Sequence, residues 1–209
     1  MNKALLLFLF IAFSTALSAQ TFEGRINYKI ACKNPKTGLA DANFTAMMGT
    51  TQEYYIKGGD YKSVGTGSFF QGQLYVNREN KLYSKMGLQD TWFWNNAAIN
   101  GDVVTKAEIR KNVVKILGYD CDELTLTCRT GVQKYYFSAR LGVDPALFVN
   151  HKFGNWYDFV SRSKALPLKY IIRNPQFVLE ATATEVKPMK LEKSFFTLPA
   201  GAKSRAFGK

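Results

Sequence analysis

The 209 residues suffice for one sizeable core, and no internal repeat or Pro/Ser-rich linker divides them. Lys and Arg number 28 against 16 Asp and Glu, a net charge of +12, yet they are scattered with no tight basic block. That pattern fits solvation of a sheet's outer face and peripheral attraction to anionic membrane rather than a nucleic-acid surface. Three cysteines allow at most one intramolecular disulfide.

Residues 1–19 read as a secretory signal peptide: Lys3, an apolar run from Ala4 to Phe13, then small residues ending at Ala19. The run is too short for a spanning helix, and no later stretch is apolar enough to cross a bilayer. No cysteine follows the small residues, which argues against a lipid-anchored N-terminus. The expectation is a periplasmic or secreted single domain over 20–209, and export further disfavours nucleic acid as a partner.

From Phe22 to Cys32 apolar and polar residues alternate, with Ile26, Tyr28 and Ile30 inward, as in a half-buried strand. A weak helical pattern surrounds Phe44 to Met48. Glu53–Lys57 and Tyr61–Val64 flank Gly58-Gly59-Asp60 as a hairpin, and Gln73–Val76 and Lys81–Ser84 flank Asn77–Asn80 as another. Between them, Val64-Gly65-Thr66-Gly67-Ser68 has the glycines of a phosphate loop but neither its lysine nor its helix, and reads as a turn.

Trp92-Phe93-Trp94 forms a strand with rings on both faces, so one side is expected under a helical insertion and the other on a concave surface. Strands follow at Val113–Leu117, Glu123–Cys128 and Lys134–Phe137. Asp144-Pro145 then opens a helical insertion in which Gly154-Asn155 is a break and Trp156, Phe159 and Val160 share a face. After Pro167, strands resume at Leu168–Ile172 and Phe177–Val186, with a tail strand near Phe195-Phe196. The whole reads as a continuous antiparallel meander. The fold class is mainly β (α+β): a large curved antiparallel sheet or incomplete barrel, with a short helical insertion on its concave face.

Cys121 and Cys128 lie on one extended segment, roughly 23 Å apart if straight, against about 7 Å for bridged Cα atoms. Either Cys32 bridges to one of them or all three stay reduced. Alternation puts Cys32 with Ile26, Tyr28 and Ile30 and Cys128 with Leu124 and Leu126, which favours Cys32–Cys128.

Convergent catalytic chemistry is missing from the pattern. The single histidine, His151, has no second ligand residue at helical spacing and reads as a surface or capping group. There is no Gly-x-Ser-x-Gly elbow. Asp120, Asp122 and Glu123 match no calcium loop, and carboxylates beside Cys121 would raise its thiol rather than activate it. No catalytic residue, metal site or cofactor is expected. Aromatic side chains are what abounds, and Trp92, Trp94, Trp156 and Phe159 are the candidate ligand-binding residues.

Ile116-Leu117-Gly118-Tyr119-Asp120-Cys121, Leu166-Pro167-Leu168-Lys169-Tyr170, the Thr-rich run Glu180–Val186 ending in Thr184-Glu185-Val186, and Phe195-Phe196-Thr197-Leu198-Pro199-Ala200-Gly201 resemble motifs of an exported bacterial family of unknown function. That family is related to the LolA/LolB-like lipoprotein carrier superfamily. The resemblance covers the second half of the chain, and the first half only by strand pattern. It implies an incomplete antiparallel barrel over helices with an apolar interior that in the carriers accepts acyl chains; no functional residue carries over. The expectation is a non-enzymatic binder of a lipid or other amphiphile in envelope lipid or lipoprotein handling. The alternative is an envelope protein–protein interaction module with a filled core, and cavity volume separates the two.

Overall fold

The computed structural model describes residues 21–34, 40–87 and 90–208. The signal peptide read at 1–19 lies outside them.

Among the described residues twelve strands form one open sheet that does not close into a barrel. The first meander is β1 (Gly24–Lys33), β2 (Thr51–Lys57), β3 (Asp60–Gly65), β4 (Phe70–Val76), β5 (Lys81–Met86) and β6 (Thr91–Asn96). The second is β7 (Val104–Ile116), β8 (Tyr119–Cys128), β9 (Val132–Gly142), β10 (Ala165–Arg173) and β11 (Val178–Pro188). They join where β1 pairs with β11, so the order runs β6 back to β1, then β11 back to β7. The expected continuous meander is therefore two, because β6 leads into β7 across the molecule instead of pairing with it. β12 (Lys203–Ala206) adds to β6 in parallel.

Local chemistry sets the turns. Lys57 pairs with Asp60 across Gly58-Gly59, and Gly58 supplies φ +56, which L side chains seldom adopt. Val76 pairs with Lys81 across a 3-10 turn over Asn77–Glu79.

Alternation gives the sheet an inner and an outer face. Ile26, Tyr28, Ile30 and Cys32 of β1 point to the inner core together with Leu124, Leu126, Phe137, Leu168 and Ala181. The insertion between β9 and β10 covers this face. Asp144 Oδ1 accepts from Ala146 N at 2.9 Å and opens a 3-10 turn, Pro145–Phe148. Gly154 and Asn155 take positive φ and reset the chain before α2 (Trp156–Ser163). The insertion is fastened to the opposite meander: Ala97 O accepts from Lys152 N at 2.7 Å and Phe153 N at 2.9 Å, and Asn80 Nδ2 donates to Asn150 O at 3.0 Å. α1 (Asp41–Met48) packs by Phe44 and Met48 on the inner core.

The outer face carries a second, smaller core in which Leu74, Val76 and Tyr83 meet Leu191 and Phe196. Phe195-Phe196, expected as a strand, lies in a 3-10 turn, Lys193–Phe196, that plugs this face. Elsewhere the outer face is polar. Glu123 there accepts from Arg110 Nη2 at 2.7 Å, with Lys134 Nζ 3.6 Å away, and Lys169 meets Glu180 at 2.5 Å.

Candidate functional site

Between the inner face and the insertion lies a cavity of about 420 Å³. Five tyrosines from five strands line it: Tyr28 of β1, Tyr54 of β2, Tyr61 of β3, Tyr135 of β9 and Tyr170 of β10. Period-2 geometry explains why each points inward with the apolar residues of its strand. Ile30, Ile172 and Leu179 add aliphatic wall, and Phe153 and Trp156 of the insertion close it from above.

Most of the polar atoms here are satisfied within the wall. Tyr28 OH donates to Pro167 O at 2.6 Å, Tyr170 OH to Gln52 Oε1 at 3.0 Å, and Tyr135 OH to Gln133 Oε1 at 3.0 Å. Tyr61 OH lies 2.8 Å from His151 Nε2. Among the described residues no Asp, Glu, Lys or Arg lines the cavity. Burial raises Tyr54 and Tyr61 above the usual phenol range and pushes His151 down to about 3, so these three groups are neutral near pH 7. Such a space admits apolar matter and supplies a few oriented hydrogen bonds.

No protein-family model matches the chain, and no curated protein matches it. Among solved structures it is similar to the LolA superfamily protein NE2245 from Nitrosomonas europaea, 11% identical with a TM-score of 0.38, over 85% of this chain and 91% of that one. It is also similar to LprF from Mycobacterium bovis, 9% identical with a TM-score of 0.32, over 80% and 89% of the two chains. At these identities and scores neither likeness bears on what the chain does.

Of the four candidate ligand-binding residues, only Trp156 lines the cavity. Phe159 stands one layer behind, stacked on Tyr135 at 4.2 Å between centroids and 5.6 Å from Trp156. Trp92 and Trp94 do not join them. Trp94 pairs with Tyr83 and Trp92 with Lys85 on the outer face, where Phe195 and Leu198 share their cluster and Lys81 sits 4.5 Å over the Trp94 ring. Phe93, on the other side of the strand, meets Phe207 edge-on at 6.2 Å. The expected cover from the helical insertion is supplied by the C-terminal segment instead.

The Cys32–Cys128 bridge is not formed: all three cysteines are buried free thiols. β11, β10 and β9 stand between β1 and β8 in the sheet order. Burial pushes Cys32 and Cys128 up to about 11; Cys121 is raised too, mainly by burial and then by Asp120 and Asp122. Those two carboxylates pair with Lys115 and Lys111, and no metal-holding cluster exists among the described residues.

His151, read as a surface or capping group, is only 1 % exposed. It and the five cavity tyrosines are not among the candidate ligand-binding residues read from the sequence. The available signal was the set of inward tyrosines on alternating strands; for His151 there was none, because its burial depends on where the insertion lands.

Proposed function

We propose that the chain is a non-enzymatic periplasmic binding protein that holds the apolar part of a lipid or other amphiphile between the inner face of its sheet and the insertion. The observation that carries this reading is the cavity itself. Close-packed interiors leave few voids larger than a water, whereas about 420 Å³ falls in the range of small-molecule sites, roughly 300–1,000 Å³. An aromatic and aliphatic wall without charge favours apolar contents, and each methylene taken from water contributes about 0.8 kcal/mol. A myristoyl-sized chain is thus enough for reversible capture. The export signal read at 1–19 supports the compartment, and the sequence resemblance to lipoprotein carriers supports the ligand class.

The test is native mass spectrometry of the mature protein, purified from its own envelope without detergent, followed by organic extraction. A co-purifying lipid mass is the expected result. A bare protein that also refuses added fatty acids and phospholipids overturns the reading.

A second reading, an envelope protein–protein interaction module, is favoured by one feature. β7 is a free sheet edge 13 residues long, and its Ile109, Val113 and Val114 are exposed.

A further inference from the structure

A second depression, of about 420 Å³, opens on the outer face, across the sheet from the aromatic cavity. Its walls include Lys62 and Val64 of β3, the Gly65-Thr66-Gly67 turn, Lys85 of β5 and Trp92 of β6. Register explains how they gather: Gly72 pairs with Val64 on one side and Lys85 on the other, and Lys85 pairs in turn with Trp92. A Cβ at position 72 would collide with Ser63 O, so glycine is required there and no side chain fills the strand between Val64 and Lys85. The glycine-rich turn lacks the lysine of a phosphate loop in its own sequence, and β3 and β5 bring two lysines to it.

The charge of Lys62 is unbalanced. All 16 Asp and Glu residues of the chain are among the described residues, and none lies within ion-pair distance of its ammonium. Lys62 Nζ instead sits 4.5 Å from the centroid of the Phe195 ring. It is not among the buried polar atoms that lack a partner, so it keeps surface open to solvent. Burial of the side chain still holds Lys62 below the ordinary lysine range: the cation has lost part of its water and gained no anion. Lys85, with 21 % of its side chain exposed, lies 3.6 Å from Asp90, whose own side chain is fully exposed. Such a pair contributes about 0–1 kcal/mol and exchanges for another anion at little cost. Glu53, opposite Val64 on β2, is engaged by Tyr55 OH at 2.6 Å and Arg25 Nη1 at 3.5 Å.

An ammonium is a compact point charge suited to phosphate oxygens, and a phosphate monoester near −2 balances two of them. The space exceeds what a phosphoryl group alone fills, and the Trp92 ring offers an apolar surface to whatever carries it. A net charge of +12 steers anions toward the protein.

We propose that the outer face binds a phosphate monoester, with its phosphoryl group between Lys62 and Lys85 and its organic part against Trp92. This site stands on the opposite side of the sheet from the aromatic cavity and does not rest on the reading of that cavity as a lipid site.

A soluble ester and the headgroup of phosphatidic acid present the same group, and two probes distinguish them. The first is calorimetric titration with glycerol 3-phosphate at about pH 7.5, where the ester is close to −2. The second is co-sedimentation with phosphatidylcholine vesicles with and without phosphatidic acid. Both are repeated on Lys62→Gln and Lys85→Gln, and on Lys106→Gln, which removes the same charge on β7; urea unfolding checks that each variant is folded. Loss of either pocket lysine should weaken binding by about fivefold or more, while Lys106→Gln changes it by less than about twofold. Binding of glycerol 3-phosphate with that pattern identifies a soluble ester; the same pattern with phosphatidic acid vesicles alone identifies a headgroup. Equal losses in all three variants would mean attraction by net charge only and overturn the proposal, as would binding that neither pocket variant moves or the failure of both probes to bind.

Discussion

The Tyr61 hydroxyl lies 2.8 Å from His151 Nε2, joining β3 to the insertion across 90 residues of chain, and both side chains are buried. Their rings stack with centroids 5.7 Å apart, and Tyr75 closes on His151 at 4.1 Å. The bond helps hold the cover on the concave face. Tyr61→Phe leaves His151 Nε2 buried without that partner, so it should cost about 1–3 kcal/mol in urea unfolding.

The same pair makes stability depend on pH. His151 has an ordinary value of 6.5 and is pushed down to about 3 by burial, so the unfolded chain binds a proton between those values that the folded chain does not. Its contribution is fully present above 6.5 and is lost as pH falls toward 3. No other histidine is present. Urea midpoints should therefore drop from pH 7 to pH 5 by an amount equivalent to about 2 kcal/mol, and His151→Gln should flatten that slope.

The three tryptophans should separate into two behaviours. Trp156→Ala removes cavity wall and should weaken lipid capture by at least tenfold. Trp92→Ala and Trp94→Ala strip the outer face, each costing about 1–2 kcal/mol of stability while lipid affinity stays within about twofold. Titration with a fatty-acyl ester alongside chemical denaturation checks both parts. Loss of binding in the Trp92 and Trp94 variants, with folding retained, would place the ligand on the wrong side of the sheet.

Phe196 is 2 % exposed and fills the outer-face cluster formed with Leu74, Val76, Tyr83 and Leu191. Phe196→Ala should cost about 3–5 kcal/mol, measured by thermal and urea unfolding, although it lies far along the chain from those strands.

Three buried thiols, each raised by its surroundings, should resist modification while the chain is folded. Ellman's reagent is expected to titrate none of them in the native protein and three after denaturation. A reducing agent should leave the melting temperature unchanged; a drop would indicate a bridge.

Where one face of a strand is buried, its sequence is legible. Ile26, Tyr28, Ile30 and Cys32 alternate with polar residues, and that face lies in the core. Gly58-Gly59 demands a hairpin, and Gly154-Asn155 breaks the insertion where the chain does bend. β7 escaped notice before Val113 because it is exposed along nearly its whole length, and a strand at a free edge carries no alternation to read. β12 was missed because its four residues become a strand only by lying parallel to β6.

The candidate site divides on the same principle. By itself the sequence determined that Trp92 and Trp94 share a side, that Cys32 and Cys128 belong to inward faces, and that tyrosines recur on alternating strands, because side-chain direction along a strand has a period of 2. Only the tertiary structure decided which side the insertion covers and which the C-terminal segment covers. It also decided that three strands stand between the two cysteines, and that the rings of Tyr54, His151 and Trp156 pack around Tyr61. Those outcomes depend on contacts between residues far apart in the chain, and local periodicity carries no information about which distant segment will arrive.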